Sequence, residues 1–161
     1  MEIVLLLIAV AAIIIAAAVF FRKSDTSTTG AGDDEAWPFF LRRPLSRPEQ
    51  VLYFRLRNAL PEHIVLAQVQ LSRFLGVKRG HNFYAWNNRI DRLSADFLIC
   101  SKDASVVAAI ELDDKSHEFE HRQRIDAKKE KALTSAGVRL IRWRTVSLPD
   151  EIAIRQEVLG Q

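Results

Sequence analysis

Three carboxylates stand at spacings that can hold a hard metal ion. Asp96 lies within the apolar run Ser94 to Ser101 (SADFLICS); Glu111 lies near the end of a second run, Val106 to Leu112 (VVAAIEL), and Asp113 just past it. Only Lys102-Asp103-Ala104-Ser105 separates the two runs, which reads as a four-residue hairpin loop. Setting Ser101 opposite Val106 sets Asp96 opposite Glu111, with Cβ atoms roughly 5 Å apart. Asp113, two residues further on, points to the same side of the strand. Carboxylates gathered at the end of an apolar hairpin repel one another unless a cation neutralises them, and an all-oxygen set selects Mg²⁺, Mn²⁺ or Ca²⁺ over soft metals. A plainer reading competes: Asp113 and Asp114 cap the next helix, and Asp96 sits at an exposed strand end.

The following segment decides between them. Phe119 to Ala136 has the spacing of a charged helix, with an apolar stripe at Ile125, Ala132, Leu133 and Ala136 and a stop at Gly137. Arg122, Asp126 and Lys129 fall at i, i+4 and i+7 beside that stripe, so the helix can set cations across from the carboxylates. Such a pairing holds a metal and a phosphate together.

The same stretch also satisfies H-E-x-x-H, from His117 to His121, the pattern of a zinc protease helix. Its flanks, Asp113 to Ser116 and Arg122 to Arg124, are solvated rather than apolar, which places the protease third among the readings. Neither a Walker-type nor a G-x-G-x-x-G loop occurs, so no nucleotide cofactor is expected. Cys100 closes an apolar strand and reads as core. Arg139, Arg142 and Arg144 around Trp143 are candidates for tracking phosphates beside an aromatic base platform; the commoner account is a basic edge with a packed Trp.

An Asp on one strand, Glu-x-(Asp/Lys) after a buried run, then a basic helix and another strand resembles the PD-(D/E)XK, restriction-endonuclease-like nuclease superfamily. Ala95-Asp96-Phe97 followed by Ile110-Glu111-Leu112-Asp113-Asp114-Lys115-Ser116-His117 is similar to a branch written V-D-F … I-E-L-D-D-x-S-H, found in membrane-anchored bacterial domains of unknown function and akin to very-short-patch-repair endonucleases. The similarity covers about residues 45–145. It implies an Mg²⁺- or Mn²⁺-dependent nuclease with Asp96 and Glu111 as metal ligands; the strand spacing adds Asp113 as a third, and Asp113 or His117 is the candidate for handling the water. Glu49 matches the acidic residue such folds often carry on the first helix, and Asp126 is a second accessory group. The excess of Lys and Arg in the same region makes nucleic acid the expected partner, DNA ahead of RNA, with Lys115, Arg122, Arg142 and Arg144 as its contacts. One position departs from the pattern. The Lys two residues after the Glu is Asp113 here, so either Lys129 or Lys115 supplies the cation, or hydrolysis is lost and a binding module remains.

These residues need a scaffold. Ser46-Arg47-Pro48-Glu49 reads as a capping box opening a helix from about Pro48 to Leu60, with Val51, Leu52, Tyr53, Leu56, Ala59 and Leu60 near one stripe and Pro61 ending it. His63 to Leu71 reads as a strand, Ser72 to Asn88 gives no clear pattern, Val138 to Trp143 is a further strand, and Ser147 to Asp150 opens a last helix ending near Leu159. The expected fold is α/β: a restriction-endonuclease-like mixed sheet flanked by helices, with the two apolar runs as central strands.

Composition sets the frame around that domain. Ile3 to Phe21 is an unbroken apolar run of 19 residues, about 28 Å as a helix, which is close to the hydrocarbon thickness of a bilayer. Glu2 precedes it, and Arg22 and Lys23 follow it, the opposite of a signal peptide. The expectation is one N-terminal transmembrane helix (1–23) in the bacterial inner membrane, with the remainder in the cytoplasm. Residues 24–36 lack large apolar side chains and read as a flexible linker of roughly 20 Å reach. Residues 37–161 form the predicted domain. They carry 21 Lys and Arg against 15 Asp and Glu, where residues 1–36 carry two against five. The basic part suits an anionic partner, either nucleic acid or lipid headgroups. A single cysteine excludes an internal disulfide framework and a thiolate zinc cage.

Overall fold

The computed structural model describes residues 36–113 and 120–160, without the side chains of residues 120–123. The apolar run at residues 3–21 and the linker lie outside the described residues. None of the described helices is long and apolar enough to cross a membrane. The chain divides into two compact units, Met1–Arg42 and Arg43–Gln161. In the first, the rings of Trp37 and Phe39 meet at 5.7 Å.

The second unit is a mixed α/β domain. Helix α1 (Arg47–Ala59) is followed by strand β1 (Ile64–Gln70), a 3₁₀ turn (Leu71–Arg73), a short helix α2 (Phe83–Asn87), strands β2 (Ser94–Cys100) and β3 (Val106–Asp113), helix α3 (Glu120–Ser135), strand β4 (Leu140–Arg144) and helix α4 (Glu151–Leu159). The four strands lie side by side in chain order. β1, β2 and β3 pair antiparallel, and β4 runs parallel to β3. The short loop after β2 reverses the chain into β3, whereas the crossover through α3 returns it so that β4 runs parallel to β3.

Burial explains why the two central runs lack a polar face. Phe97 and Ile99 of β2, Ala108 and Ile110 of β3, and Ile141 and Trp143 of β4 pack against Leu52, Leu56 and Ala59 of α1, Leu60 just after it, and the α4 residues Ile154 and Val158. On the other side Leu98, Cys100 and Ala109 pack against Leu133 of α3 and against Leu71 and Leu75 after β1. Both faces of β2 and β3 are therefore covered. Each large side chain buried this fully contributes roughly 1.5–3 kcal/mol.

Local signals account for the ends of the helices. The Ser46 N–H donates to Glu49 Oε2 at 2.6 Å, closing the first turn of α1. Asp150 accepts from the Ala153 N–H at the start of α4. Gly137 takes φ +74° after α3, and the Val138 N–H folds back onto the Leu133 carbonyl, a reversal that a Cβ would strain.

Four expectations need correction. The hairpin does not close with Ser101 opposite Val106: Cys100 pairs with Val106, the register shifts between Ile99 and Cys100, and Ala104 adopts φ +65°. The Ser101 N–H bonds to the Ser105 carbonyl, so the left-handed turn tightens the loop and a bulge at Val107 restores the alternation. Val51 is exposed on α1 because it falls outside the arc formed by Leu52, Leu56 and Ala59. Ala136 is exposed beyond the end of α3, in the turn, rather than extending the apolar stripe. The segment Ser72 to Asn88, without pattern in the sequence, holds α2, a five-residue helix whose rings face outward instead of forming a core stripe.

Candidate active site

Past the bulge, Phe97 pairs with Ile110, Leu98 with Ala109 and Ile99 with Ala108. That register brings Asp96 abreast of Glu111. On the far side Glu111 pairs with Arg142, and on the near side Ala67 with Phe97 and Val69 with Ala95 bracket Gln68 against Asp96. One polar row thus crosses an otherwise apolar sheet: Gln68, Asp96, Glu111, Arg142. Asp113, exposed at the end of β3, pairs in register with Arg144.

Helix α3 completes the row. Lys129 reaches down and donates to Glu111 Oε2 at 2.6 Å, with only about a tenth of either side chain exposed. The other carboxylate oxygen, Oε1, is buried without a hydrogen-bond partner among the described residues. Burial pushes Glu111 up to about 7; the Lys129 hydrogen bond and charge oppose the rise, and the Asp96 and Asp126 charges add to it. Asp96 Oδ2 accepts from the Leu112 N–H at 2.7 Å. Burial raises Asp96 as well, against the pull of that hydrogen bond and of Lys129, with Glu49 and Asp113 raising it further. Asp96, Glu111, Lys129, Glu49, Asp113 and Asp126 therefore share one electrostatic neighbourhood. Between the lysine candidates, Lys129 is the one that meets Glu111 among the described residues.

Glu49 is held twice, by the Ser46 N–H and by Gln68 Nε2, which donates to its Oε1 at 2.6 Å. Gln68 itself adopts φ +53°, a left-handed conformation uncommon for a non-glycine residue. Sequence reasoning missed Gln68. Its only signal is a polar residue in the middle of a β-branched run. Strain of this kind is worth about 1–3 kcal/mol and persists where the surroundings over-determine it; here the α1 carboxylate holds the Gln68 amide.

Every one of these site residues falls in a single matched span. The chain belongs to the family described as Protein of unknown function (DUF2726), matched over residues 42–161. That span coincides closely with the second compact unit. Neither a curated protein nor a solved structure matches the chain.

Within the DUF2726 domain the remaining candidates sort as follows. Lys115, His117 and the H-E-x-x-H stretch lie outside the described residues, as does the side chain of Arg122. Arg142 is ion-paired with Glu130 of α3 at 3.0 Å, and Arg144 is exposed. Trp143 is not a base platform: it is buried on the opposite face, and its Nε1–H donates to Glu157 at 2.7 Å. Strand alternation requires this, since Trp143 must oppose its neighbours Arg142 and Arg144. Among the described residues no three His, Cys, Asp or Glu side chains stand gathered as a ready-made ion cage.

Proposed function

We propose that this DUF2726 domain is a metal-dependent nuclease of the PD-(D/E)XK kind, acting on nucleic-acid phosphodiesters. The observation that carries the reading is the buried Lys129–Glu111 pair abreast of Asp96. In that superfamily's motif a lysine follows the Glu by two residues, a place held here by Asp113. A cation delivered from α3 supplies the same charge from a different position in the chain. The order of elements agrees with the resemblance: Asp on one strand, Glu on the next, a basic helix, then a parallel strand.

Asp96 and Glu111 fit a hard divalent cation such as Mg²⁺ or Mn²⁺, because Glu111 Oε1 has no hydrogen-bond partner among the described residues and every donor is a carboxylate oxygen. Such an ion supplies Lewis acidity toward a phosphate oxygen. Lys129 then balances the negative charge that builds on the phosphate in the transition state. Arg142 and Arg144, on the neighbouring strand, hold the flanking phosphates. Asp113 or His117 takes the proton of the attacking water as its oxygen bonds to phosphorus and the P–O bond to the departing nucleotide breaks. The apolar run at residues 3–21 tethers this activity to the inner membrane with the domain in the cytoplasm, a topology that a C-terminal reporter active only outside the cytoplasm would overturn.

The test is incubation of the full chain with supercoiled plasmid and with labelled strands in Mg²⁺, Mn²⁺ or EDTA. Cleavage requiring a divalent ion and abolished by Asp96→Ala and by Glu111→Gln is the expected result. A second reading draws on Asp113 in the lysine's place: a binding module that has lost hydrolysis. Binding with no cleavage under any ion favours that module.

A further inference from the structure

The connection between β1 and β2 begins three residues after Gln68 and ends three residues before Asp96, so it lies at the end of the sheet where the carboxylates meet. Its ends pack into the core, but Lys78 to Trp86 is exposed, and the composition is unusual. From Arg73 to Leu93 it carries five Lys and Arg and one carboxylate, Asp91. Its α2 turns three aromatic side chains to solvent: Phe83 is 54% exposed, Tyr84 77% and Trp86 45%. A five-residue helix with no buried residue contributes little to the core. Three uncovered rings on it incur a solvation cost that packing elsewhere in the domain does not require.

The rings are arranged rather than scattered. The Arg89 guanidinium lies over the Trp86 indole, 4.1 Å from its centroid, with His81 edge-on at 5.9 Å. Phe83 and Tyr84 stand edge to face at 5.6 Å. Lys78 and Arg79 precede them on the exposed loop. Aromatic faces interleaved with cations match a polyanion that carries flat rings, and duplex nucleic acid hides those rings inside its stack. The occupant that fits both the charge and the rings is an unpaired strand.

We infer that the Arg73–Leu93 connection is a binding surface for single-stranded nucleic acid, in which Tyr84 and Trp86 each stack on a base and Lys78, Arg79 and Arg89 meet the phosphates. The inference rests on the nuclease reading and deepens it. The strand entering the carboxylate row is single, whether from a free end, a loop or a melted duplex.

The test measures binding and cleavage separately. Binding is followed in EDTA by fluorescence anisotropy of a labelled 20-nucleotide DNA or RNA against the full chain, with the matching duplex and phosphatidylcholine/phosphatidylserine vesicles as competitors. Tyr84→Ala and Trp86→Ala, both at exposed rings, are expected to weaken single-strand binding about ten-fold each while changing duplex binding less than two-fold. Arg89→Ala is expected to weaken it and to flatten its salt dependence. Unchanged single-strand affinity in both ring variants overturns the inference, as does an equal loss for duplex, or displacement by vesicles and not by strands. Cleavage of plasmid in Mg²⁺ is read on the same variants. If cleavage persists while ring variants bind strands like the parent, the strand surface falls and the nuclease stands. Ring-dependent binding with no cleavage keeps the surface and removes hydrolysis.

Discussion

Ionising Glu111 without a bound metal works against the fold, and the effect can be measured. Its carboxyl is raised from 4.5 to about 7, chiefly by burial. A raised carboxyl binds its proton more tightly in the folded chain than in the unfolded one. The stability this group contributes is therefore full below about pH 4.5 and is lost as pH rises through 7. At about 1.4 kcal/mol per pH unit, the shift amounts to about 3 kcal/mol between pH 4.5 and 8. Lys129 has already limited that loss through its hydrogen bond and charge. In Glu111→Gln the titration is gone. Equilibrium urea unfolding in EDTA, read by the buried Trp143 and by circular dichroism, gives the difference in stability between parent and variant at each pH. The parent should lose about 3 kcal/mol relative to the variant across that range, roughly 1–2 M in urea midpoint. Lys129→Met removes the hydrogen bond and the charge that lower Glu111, so in that variant the loss should again begin near pH 4.5 but continue to higher pH and end larger. A difference that stays constant with pH, or a parent that gains on the variant as pH rises, would refute the reasoning. It would mean that the ion pair outweighs desolvation.

Two further outcomes follow from the geometry. Trp143→Phe removes the Glu157 hydrogen bond of a buried ring, so it should cost about 1 kcal/mol in thermal or urea unfolding and leave nucleic-acid affinity unaltered in gel shifts; reduced affinity would return Trp143 to the interface. Gln68→Val places a β-branched residue at φ +53° and removes the brace on Glu49. It should destabilise by about 1–3 kcal/mol, whereas Gln68→Gly, free of the backbone strain, should recover much of that loss in the same melts.

Much of the domain was legible in residue types because its local signals agree with its packing. The capping box at Ser46 to Glu49, the glycine at 137 and the Asp150 cap bound helices through bonds spanning a few residues. The largely apolar runs at 94–101 and 106–112 had the length and composition of strands covered on both faces. Their short separation made them a hairpin, and side-chain alternation then placed Asp96 beside Glu111. The loop itself was misjudged by one pairing, because a left-handed Ala104 carries no composition signal.

Longer-range choices belonged to the tertiary structure. Sequence named Lys129 ahead of Lys115 as the missing cation, but only the way α3 crosses from β3 to β4 sets Lys129 onto Glu111 at 2.6 Å. Glu49 and Gln68 are 19 residues apart and joined by one side-chain bond, which no local pattern encodes. Trp143 and Trp86 are the same residue type in basic surroundings, yet one is core and the other surface. Position in a two-faced sheet buried the first, and a short helix with no buried residue exposed the second. Residue identity gives the chemistry a side chain can perform; burial and the neighbours brought by folding decide whether it meets solvent, a carboxylate or a base.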